Sequence, residues 1–323
     1  MRFSIIIPVA RLNSYLEESI PKLLSLEFPD KEYEILILPN RIPKNLPAYA
    51  THPKIRLIKT GKVSPAVKRD IGASASKGRY LCFIDDDAYP KKDWLNIAKE
   101  TFLELPEEYV AINGPAITPE DATKTERISG TFFGSSFGGG AAYRCEDVQR
   151  SFDVDDAPSV NFIIRRDTFL SLGGFGSEYW PGEDSIFCHK LKQAGYKLYY
   201  KNTLQVYHHR RPTIRAHLKQ VAGYGLHRGN FFRKGIGCSR KLSYLAPTTF
   251  LLLNLLLIIF TWQLWILIIG LYGWVLLFDF FVGSGQSLLN NFFAAGLTYI
   301  SHLTYGVYFI KGFLTKDVRS RLR

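Results

Sequence analysis

Three consecutive aspartates, Asp85-Asp86-Asp87, are the residues of this 323-residue chain best suited by type and spacing to do chemistry. They directly follow residues 80–84, an apolar run typical of a buried strand. Carboxylates this close repel one another unless a cation compensates their charge. Their oxygens are ligands that Mg²⁺ and Mn²⁺ accept, and either ion also binds phosphates. A solvated turn before Pro90 is an equally good interpretation of this motif alone.

A second acidic pair, Glu183-Asp184, follows Pro181-Gly182 at the start of a predicted helix. Acidic residues in a first helical turn often act as caps or as partners of the helix dipole. A carboxylate in this place can instead be a general base that takes a proton from an attacking hydroxyl group. Asp184 is the first candidate for that base and Glu183 is the second.

Basic residues occur in two places that would suit a diphosphate. Lys68 and Arg69 lie one predicted strand before the aspartates, and Gly72 would permit a close approach of the backbone. The segment 208–212, His-His-Arg-Arg-Pro, follows the last predicted strand, where cations would stabilise the charge of a leaving diphosphate. Adjacent histidines are poorly placed to bind one ion unaided, and we assign His209 as the candidate metal ligand.

Apolar runs of strand length alternate with helical patterns along the first two thirds of the chain. We predict strands over residues 3–9, 33–38, 55–59, 80–84, 160–165 and 197–200, and helices over residues 14–26, 65–77, 94–105 and 184–194. This alternation predicts a doubly wound α/β sheet. Ligands of such sheets bind at the carboxyl ends of the strands, where the three aspartates lie.

The formal net charge of +12 is unevenly distributed. No acidic residue occurs between Asp184 and Asp279, whereas basic residues recur up to Lys241, just before an apolar stretch. Anionic lipid headgroups favour this pattern, which argues against a nucleic-acid partner. A basic face that only keeps the protein soluble is the alternative. The four cysteines lack metal-site spacing and fit reduced thiols of a domain that faces the cytoplasm.

Two apolar stretches near the C-terminus predict attachment to a membrane. Residues 246–282 are too long for one helix across a ~30 Å hydrocarbon core and predict a hairpin. Residues 292–314 form a third segment with a polar stripe at helical spacing. The basic tail favours two crossings and the segment lengths favour three, so both stay open. We divide the chain into an α/β domain (1–207), a basic juxtamembrane segment (208–244), apolar helices (245–314) and a basic tail (315–323).

The ordered set of motifs between residues 3 and 211 resembles family 2 glycosyltransferases of the GT-A fold, a Rossmann-like domain that binds nucleotide sugars. Each motif is weak, but their order and spacing together are specific. Residues 209–228 are also similar to membrane-attached exopolysaccharide transferases of the succinoglycan glucosyltransferase type. The motifs are Ser4-Ile5-Ile6-Ile7-Pro8-Val9, Arg69-Asp70-Ile71-Gly72, Phe83-Ile84-Asp85-Asp86-Asp87, Asn161-Phe162-Ile163-Ile164-Arg165-Arg166, Gly173-Gly174-Phe175, Glu183-Asp184 and Ala194-Gly195-Tyr196.

The resemblance implies an inverting transfer from a UDP- or GDP-sugar with Mg²⁺ or Mn²⁺ as cofactor. It implies that Asp87 binds the metal, that Asp85 lies near the nucleoside and that Asp184 is the base, with Glu183 beside it. The candidate metal ligands are Asp87, Asp85 and His209. The candidate residues for binding the nucleotide sugar are Pro8, Val9, Arg11, Asn40, Lys68, Arg69, Asp70, Asp85, Asp86, Asp87 and Arg211. The candidate acceptor residues are Asn161, Gly173, Gly174, Phe175, Trp180 and Gly182, with Arg165 next to them.

Three departures from the family pattern limit what the resemblance implies. Pro39-Asn40-Arg41 stands where the family often has aspartates that read the base, so the identity of the nucleotide stays open. The usual Arg-Asn pair is Arg69-Asp70 here. The Gln-x-x-Arg-Trp motif of processive synthases is missing, which argues against polymerisation of the cellulose-synthase kind.

The leading hypothesis is an enzyme that adds one sugar to a glycan linked to a polyprenyl diphosphate at a membrane. A close competitor glycosylates the polyprenyl monophosphate itself, and a remote one is an inactive membrane scaffold. We expect a multi-pass protein of the plasma membrane whose catalytic domain faces the cytoplasm. The partners expected are the nucleotide sugar, the lipid-linked acceptor and membrane lipid.

Overall fold

The computed structural model describes residues 1–138, 142–145, 149–176, 179–236, 242–316 and 318. Its contacts divide these residues into two units. We call Met1–Ile117 with Asp147–His208 the sheet unit, and Thr118–Glu146 with His209–Val318 the helical unit. The helical unit therefore takes a segment from the middle of the chain, in addition to the C-terminal part that the linear division predicts.

An eight-stranded mixed sheet forms the centre of the sheet unit, in the order β3-β2-β1-β4-β9-β6-β10-β8. Neighbouring strands are parallel except at β9, which runs antiparallel to β4 and β6, and at β8, which runs antiparallel to β10. The strands are β1 (Phe3–Pro8), β2 (Tyr33–Leu38), β3 (Ile55–Leu57), β4 (Tyr80–Ile84), β6 (Tyr109–Asn113), β8 (Phe152–Val154), β9 (Asn161–Arg165) and β10 (Lys197–Tyr200).

Helices cover both faces of this sheet, which confirms the predicted α/β class. One core contains Leu16 of α1 (Ser14–Leu24) and Trp94 of α3 (Trp94–Glu104). The other core contains residues of α2 (Pro65–Ala75), α5 (Arg166–Ser171) and α6 (Glu183–Gln193). Strands β1, β2 and β4 are buried along their whole length, because helices pack on both sides of them.

A second, three-stranded sheet in the same unit was not predicted. It consists of β5 (Ala88–Pro90), β7 (Ala116–Ile117) and β11 (Val206–His208), with β11 in the middle. These strands are too short to show an alternating pattern in the sequence. Their pairing places His208 opposite Ala88, immediately after the three aspartates.

The helical unit contains α4 (Lys124–Gly134), α7 (Ile214–Arg233), α8 (Ala246–Phe260), α9 (Trp262–Gly283) and α10 (Leu288–Leu314). The apolar run 246–282, which was predicted to form a hairpin, is divided at Thr261 into α8 and α9. Thr298 and Ser301 of the predicted polar stripe are fully buried within this unit. Residues 317 and 319–323 of the predicted basic tail lie outside the described residues.

Within the part of the chain that the structure describes, one helix is long and apolar enough to cross a membrane. This helix is α9, judged by length and composition alone. Helix α8 is apolar but shorter, and α10 does not meet the same criterion. The multi-pass arrangement expected from the sequence is therefore not supported by the helix lengths.

Candidate active site

Asp85, Asp87 and His208 each offer one ligand atom to a common point, with these atoms within 4.8 Å of one another. Asp85 and Asp87 follow the carboxyl end of β4, and the pairing of β5 with β11 brings the imidazole to them. The distance from His208 Nε2 to Asp87 Oδ1 is 3.2 Å. Two carboxylates and one imidazole fit a divalent cation such as Mn²⁺ or Mg²⁺, with positions left for phosphate oxygens.

The histidine in this group is His208, whereas the sequence pointed to His209. Successive residues of a strand direct their side chains to opposite faces, so neighbouring histidines at the end of β11 diverge. His209 belongs to the helical unit, where its Nδ1 atom lies 3.7 Å from Glu126 Oε1. The register of β5 against β11 is the information that would have selected His208.

Arg69 joins the two acidic segments that the sequence singled out. Its guanidinium donates to Asp85 Oδ1 at 2.6 Å and to Glu183 Oε1 at 2.9 Å, and the arginine is only 3% exposed. Burial lowers the pKa of Arg69, but the charges of Asp85 and Glu183 raise it by more. The pKa is therefore higher than usual, and the guanidinium stays charged. Arg69 therefore compensates carboxylates within the site, where we had predicted a contact with the diphosphate.

Helix α6 begins at Glu183, and Gly182 precedes it with a φ of 111° that favours glycine. Glu183 is buried, and burial together with the neighbouring Asp184 charge raises its pKa to about 8. Asp184 is half-buried, and its Oδ1 accepts a hydrogen bond from the Ser185 amide at 2.8 Å. Of the two acidic residues, Asp184 is thus the one more accessible to a substrate hydroxyl.

Asp86, between the two candidate ligands, has a different environment. Its Oδ2 accepts a hydrogen bond from the Asn13 amide at 2.5 Å. Burial and the charge of Asp87 raise the pKa of Asp86 to about 6. This contact ties the acidic segment to the N-cap of α1, because Asn13 also caps that helix.

Lys68 lies at the carboxyl ends of the first strands and is 2% exposed. Its Nζ lies within 3.0 Å of four oxygens: Val9 O, Leu38 O, Asn40 Oδ1 and Thr60 Oγ1. Burial lowers the pKa of Lys68 to about 8. The lysine thus links Val9 and Asn40, two predicted nucleotide-binding residues. Pro8 next to them is buried, and Arg11 is exposed.

Asp70 contacts the predicted acceptor segment. Its two carboxylate oxygens accept from the amides of Phe175 and Gly176, each at 2.9 Å. Gly174 has a φ of 65°, and a Cβ at this position would lie 2.4 Å from Asp70 Oδ1. The sequence assigned Asp70 to the nucleotide, whereas the structure brings it to the loop that contains Gly174 and Phe175.

The other predicted residues lie in several environments. Asn161 is fully buried. Its Oδ1 accepts a hydrogen bond from Trp94 Nε1 at 3.1 Å, and its Nδ2 donates one to Leu204 O at 2.7 Å. Gly173 is exposed and Trp180 is half-buried, and both precede α6 in the sheet unit. Arg211 is half-buried and belongs to the helical unit.

The family model described as "Glycosyl transferase family 2" matches residues 4–170, which is more than half of the chain. The match contains the three aspartates and the Arg69-Asp70 pair but ends before Glu183. It agrees with the resemblance seen in the motifs. The similarity to succinoglycan-type transferases stays a prediction.

Two curated relatives match a large part of the chain. A Methanococcus voltae protein named dolichyl N-acetyl-alpha-D-glucosaminyl phosphate 3-beta-D-2,3-diacetamido-2,3-dideoxy-beta-D-glucuronosyltransferase is 23% identical over 266 residues, covering 79% of this chain and 81% of the relative. Glycosyltransferase AglE of Haloferax volcanii is 24% identical over 217 residues, covering 65% and 67%.

Among solved structures, the mannosyltransferase PcManGT from Pyrobaculum calidifontis, in complex with GDP-Man and Mn²⁺, is similar with a TM-score of 0.63. The similarity covers 93% of this chain and 87% of that chain at 15% sequence identity. At this identity, the likeness shows a common fold. It extends beyond the sheet unit, since it covers nearly the whole chain.

Proposed function

Because this chain belongs to glycosyl transferase family 2, we propose that it moves one sugar from a UDP- or GDP-sugar to a polyprenyl-linked glycan at a membrane. The observation that carries the proposal is the convergence of Asp85, Asp87 and His208 within one sheet unit that also holds Asp184. A diphosphate-binding group and a carboxylate base are the two parts that an inverting transfer requires.

The proposed reaction is a single displacement. Asp184 takes the proton of the acceptor hydroxyl, whose oxygen attacks the anomeric carbon of the donor sugar. The bond from that carbon to the diphosphate breaks, and its electron pair leaves with the nucleoside diphosphate. When bound by Asp85, Asp87 and His208, Mg²⁺ or Mn²⁺ would neutralise the charge of the leaving diphosphate. Glu183, held by Arg69, supports the position of Asp184 at the start of α6.

A lipid-linked acceptor is supported by the name of one relative and by the exposed apolar surface of the helical unit. The name of the Methanococcus voltae relative describes a dolichyl phosphate that carries a sugar as the acceptor. In this chain, α8 and α9 expose many large apolar residues, among them Phe260, Trp262 and Trp274. Exposed apolar area of this kind fits a membrane, where such an acceptor is held.

A polyprenyl monophosphate that carries no sugar is the second candidate acceptor, since the same surface would hold it. An inactive scaffold is a weaker proposal, because Asp85, Asp87 and Asp184 are all present. The proposed location is the plasma membrane, with the sheet unit on the cytoplasmic side, where nucleotide sugars occur.

The test is to incubate membranes that contain the protein with labelled UDP- and GDP-sugars, adding either polyprenyl phosphate or its glycosylated diphosphate. We expect label in the lipid extract with one donor only, and loss of this label when a chelator removes divalent ions. Membranes with the Asp184→Asn variant are the control. Equal labelling by wild type and this variant would contradict the proposal.

A further inference from the structure

Two consecutive residues of α2, Arg69 and Asp70, bind opposite ends of one short segment in the sheet unit. Asp70 accepts from the backbone amides of Phe175 and Gly176, and Arg69 donates to the carboxylate of Glu183. The described residues 175–176 and 179–183 include Trp180 and Gly182, and Asp184 follows them directly. We call these described residues the acceptor segment.

We propose that α2 is a clamp for the acceptor segment and that Asp70 is a positioning residue for the base Asp184. The inference rests on the proposed function and deepens it, because it assigns to Asp70 a role other than contact with the donor. Consecutive helical residues point about 100° apart, so one helix can reach both ends of the segment.

The contacts of Asp70 are made to the backbone and use both carboxylate oxygens. Each bond is 2.9 Å long, and a carboxylate bonded to amides is among the stronger hydrogen-bonding arrangements in proteins. Gly174 leaves the room that this contact needs, since a Cβ there would lie 2.4 Å from Asp70 Oδ1. Burial raises the pKa of Asp70 while the two amides lower it, in keeping with a carboxylate enclosed by the loop.

Helix α2 packs tightly against the sheet, so it can hold the acceptor segment in a fixed position. Ala66 and Ala73 are fully buried, and a Cβ at Gly72 would lie 2.6 Å from Ile6 Cγ2 of β1. Arg69 is bonded to Asp85 as well as to Glu183, which ties the same helix to the candidate metal ligands. The clamp therefore relates the base to the donor site through one rigid element.

The experiment compares wild type with Asp70→Asn and Asp70→Ala, using the exposed Asp167→Asn as a matched control. Asparagine retains one acceptor oxygen and alanine retains none. We expect turnover to fall by about tenfold for Asp70→Asn and about a hundredfold for Asp70→Ala, because a small misplacement of a catalytic group has effects of that order. The dissociation constant for the donor should stay unchanged in both, and Asp167→Asn should behave as wild type.

Hydrogen exchange of the same proteins measures how firmly the two backbone amides are held, and it does not depend on catalysis. The amides of Phe175 and Gly176 should exchange about tenfold faster in Asp70→Ala, since each loses a bond to a charged acceptor. Exchange in β4 should remain slow, which shows that the variant is folded. Unchanged exchange at the two amides, or weaker donor binding that matches the loss of turnover, would overturn the clamp. A wild type that transfers no sugar would overturn the proposed function alone, because the exchange result still decides the clamp.

Discussion

At the scale of residues, the candidate site brings several carboxyl groups close together. Asp85 and Glu183 share one buried guanidinium, that of Arg69, and Asp87 lies with Asp85 and His208 in a second group. A buried carboxylate without a partner is costly, and removing one partner of a buried pair costs about 3–5 kcal/mol. Asp85 and Asp87 offer their oxygens close to the imidazole of His208, with the three ligand atoms within 4.8 Å of one another. A divalent cation is the species that this arrangement fits.

Replacing Asp87 by Ala should abolish donor binding that depends on a divalent ion. His208→Gln should weaken this binding by about tenfold. Even residues that only position a metal ligand commonly change metal affinity by about 10–100-fold when they are mutated. Calorimetric titration of UDP and GDP, with and without Mn²⁺, measures both effects. The exposed Asp121→Asn is the control. Equal affinity of Asp87→Ala and wild type in the presence of metal would contradict the metal assignment.

Asp184→Asn should retain donor affinity and lose transfer by about 10²–10⁴-fold, the usual contribution of general-base catalysis. The change keeps the shape of the side chain but removes its ability to take a proton. Parallel measurements of donor binding and of single-turnover transfer separate the two properties. Substantial turnover by Asp184→Asn would exclude it as the base.

Lys68 should make stability depend on pH in a predictable direction. Its pKa is lowered to about 8 in the folded protein, so between pH 8 and the ordinary pKa of 10.5 the unfolded chain binds more protons. Stability contributed by this group therefore rises with pH across that window. The melting temperature of wild type relative to Lys68→Met should rise between pH 8 and pH 10. The exposed Lys31→Met serves as control, and a difference that falls over this range would contradict the prediction.

Residue types and order predicted Asp85 and Asp87 as metal ligands, and the structure groups both with His208. The role of Asp184 as the base stays a prediction, and the sequence placed it at the start of α6 because that helix has ordinary length. The sequence named His209 as the metal ligand, whereas the structure groups His208 with the aspartates. The register of β11 cannot be predicted from a pattern, because this strand has only three residues. The Asp70 contact was also missed, since a bond from a side chain to a distant backbone leaves no signal in the sequence.

At the scale of elements, periodicity predicted the longer strands and missed the short ones. Strands β1, β2, β4 and β9 are short runs of mainly apolar residues, and all were predicted. The helix α4 was missed because its segment contains few apolar residues at regular spacing, although Thr123 and Glu126 form a capping box at its start. Its place in the helical unit depends on contacts with distant helices, such as the bond of Ser129 to His217.

The close packing of α7 on α10 was also not predicted, because the many basic residues of α7 indicated an exposed helix. A Cβ at Gly229 would lie 2.0 Å from Phe309 O, and one at Gly312 would lie 1.9 Å from Leu226 O. The two backbones approach because glycine occupies the contact points. From the sequence alone, these glycines would be interpreted only as weak points in a basic helix.

Gly229→Ala should therefore destabilise the protein by about 1–3 kcal/mol, the usual cost of an extra methyl group in a packed contact. Gly296→Ala is a matched control in α10, since nothing lies within 4 Å of a Cβ there. The control should be neutral or slightly stabilising, because alanine favours helix. Melting in detergent compares the two variants. Equal melting temperatures would show that α7 and α10 are not in this contact.

At the scale of the whole molecule, the helix contacts restrict how the chain crosses a membrane. Helix α7 precedes the apolar hairpin and α10 follows it, yet they pack together at Gly225 and Gly229. The hairpin helices also contact each other, with the rings of Phe250 and Tyr272 4.8 Å apart. A single crossing by α9 would separate α7 from α10. If α7 and α10 keep this contact in a membrane, we expect the chain to return to the side from which it left, which requires an even number of crossings.

The C-terminal tail should accordingly lie on the same side as α7, and we predict that this is the cytoplasmic side. The amide of Asn230 on α7 donates to Thr315 O at 2.8 Å, which holds the end of α10 there. A single cysteine added after Arg323, with Cys82, Cys145, Cys188 and Cys238 replaced, should react with an impermeant thiol reagent only after lysis. Thr261→Cys in the same background tests the hairpin turn, because α8 is about 22 Å long and a ~30 Å core exceeds it. Labelling of Thr261→Cys in intact cells would show two complete crossings, and its protection would show a hairpin that stays within the membrane. Labelling of the tail cysteine in intact cells would contradict the shared side, and with it the packing of α7 on α10 in the membrane.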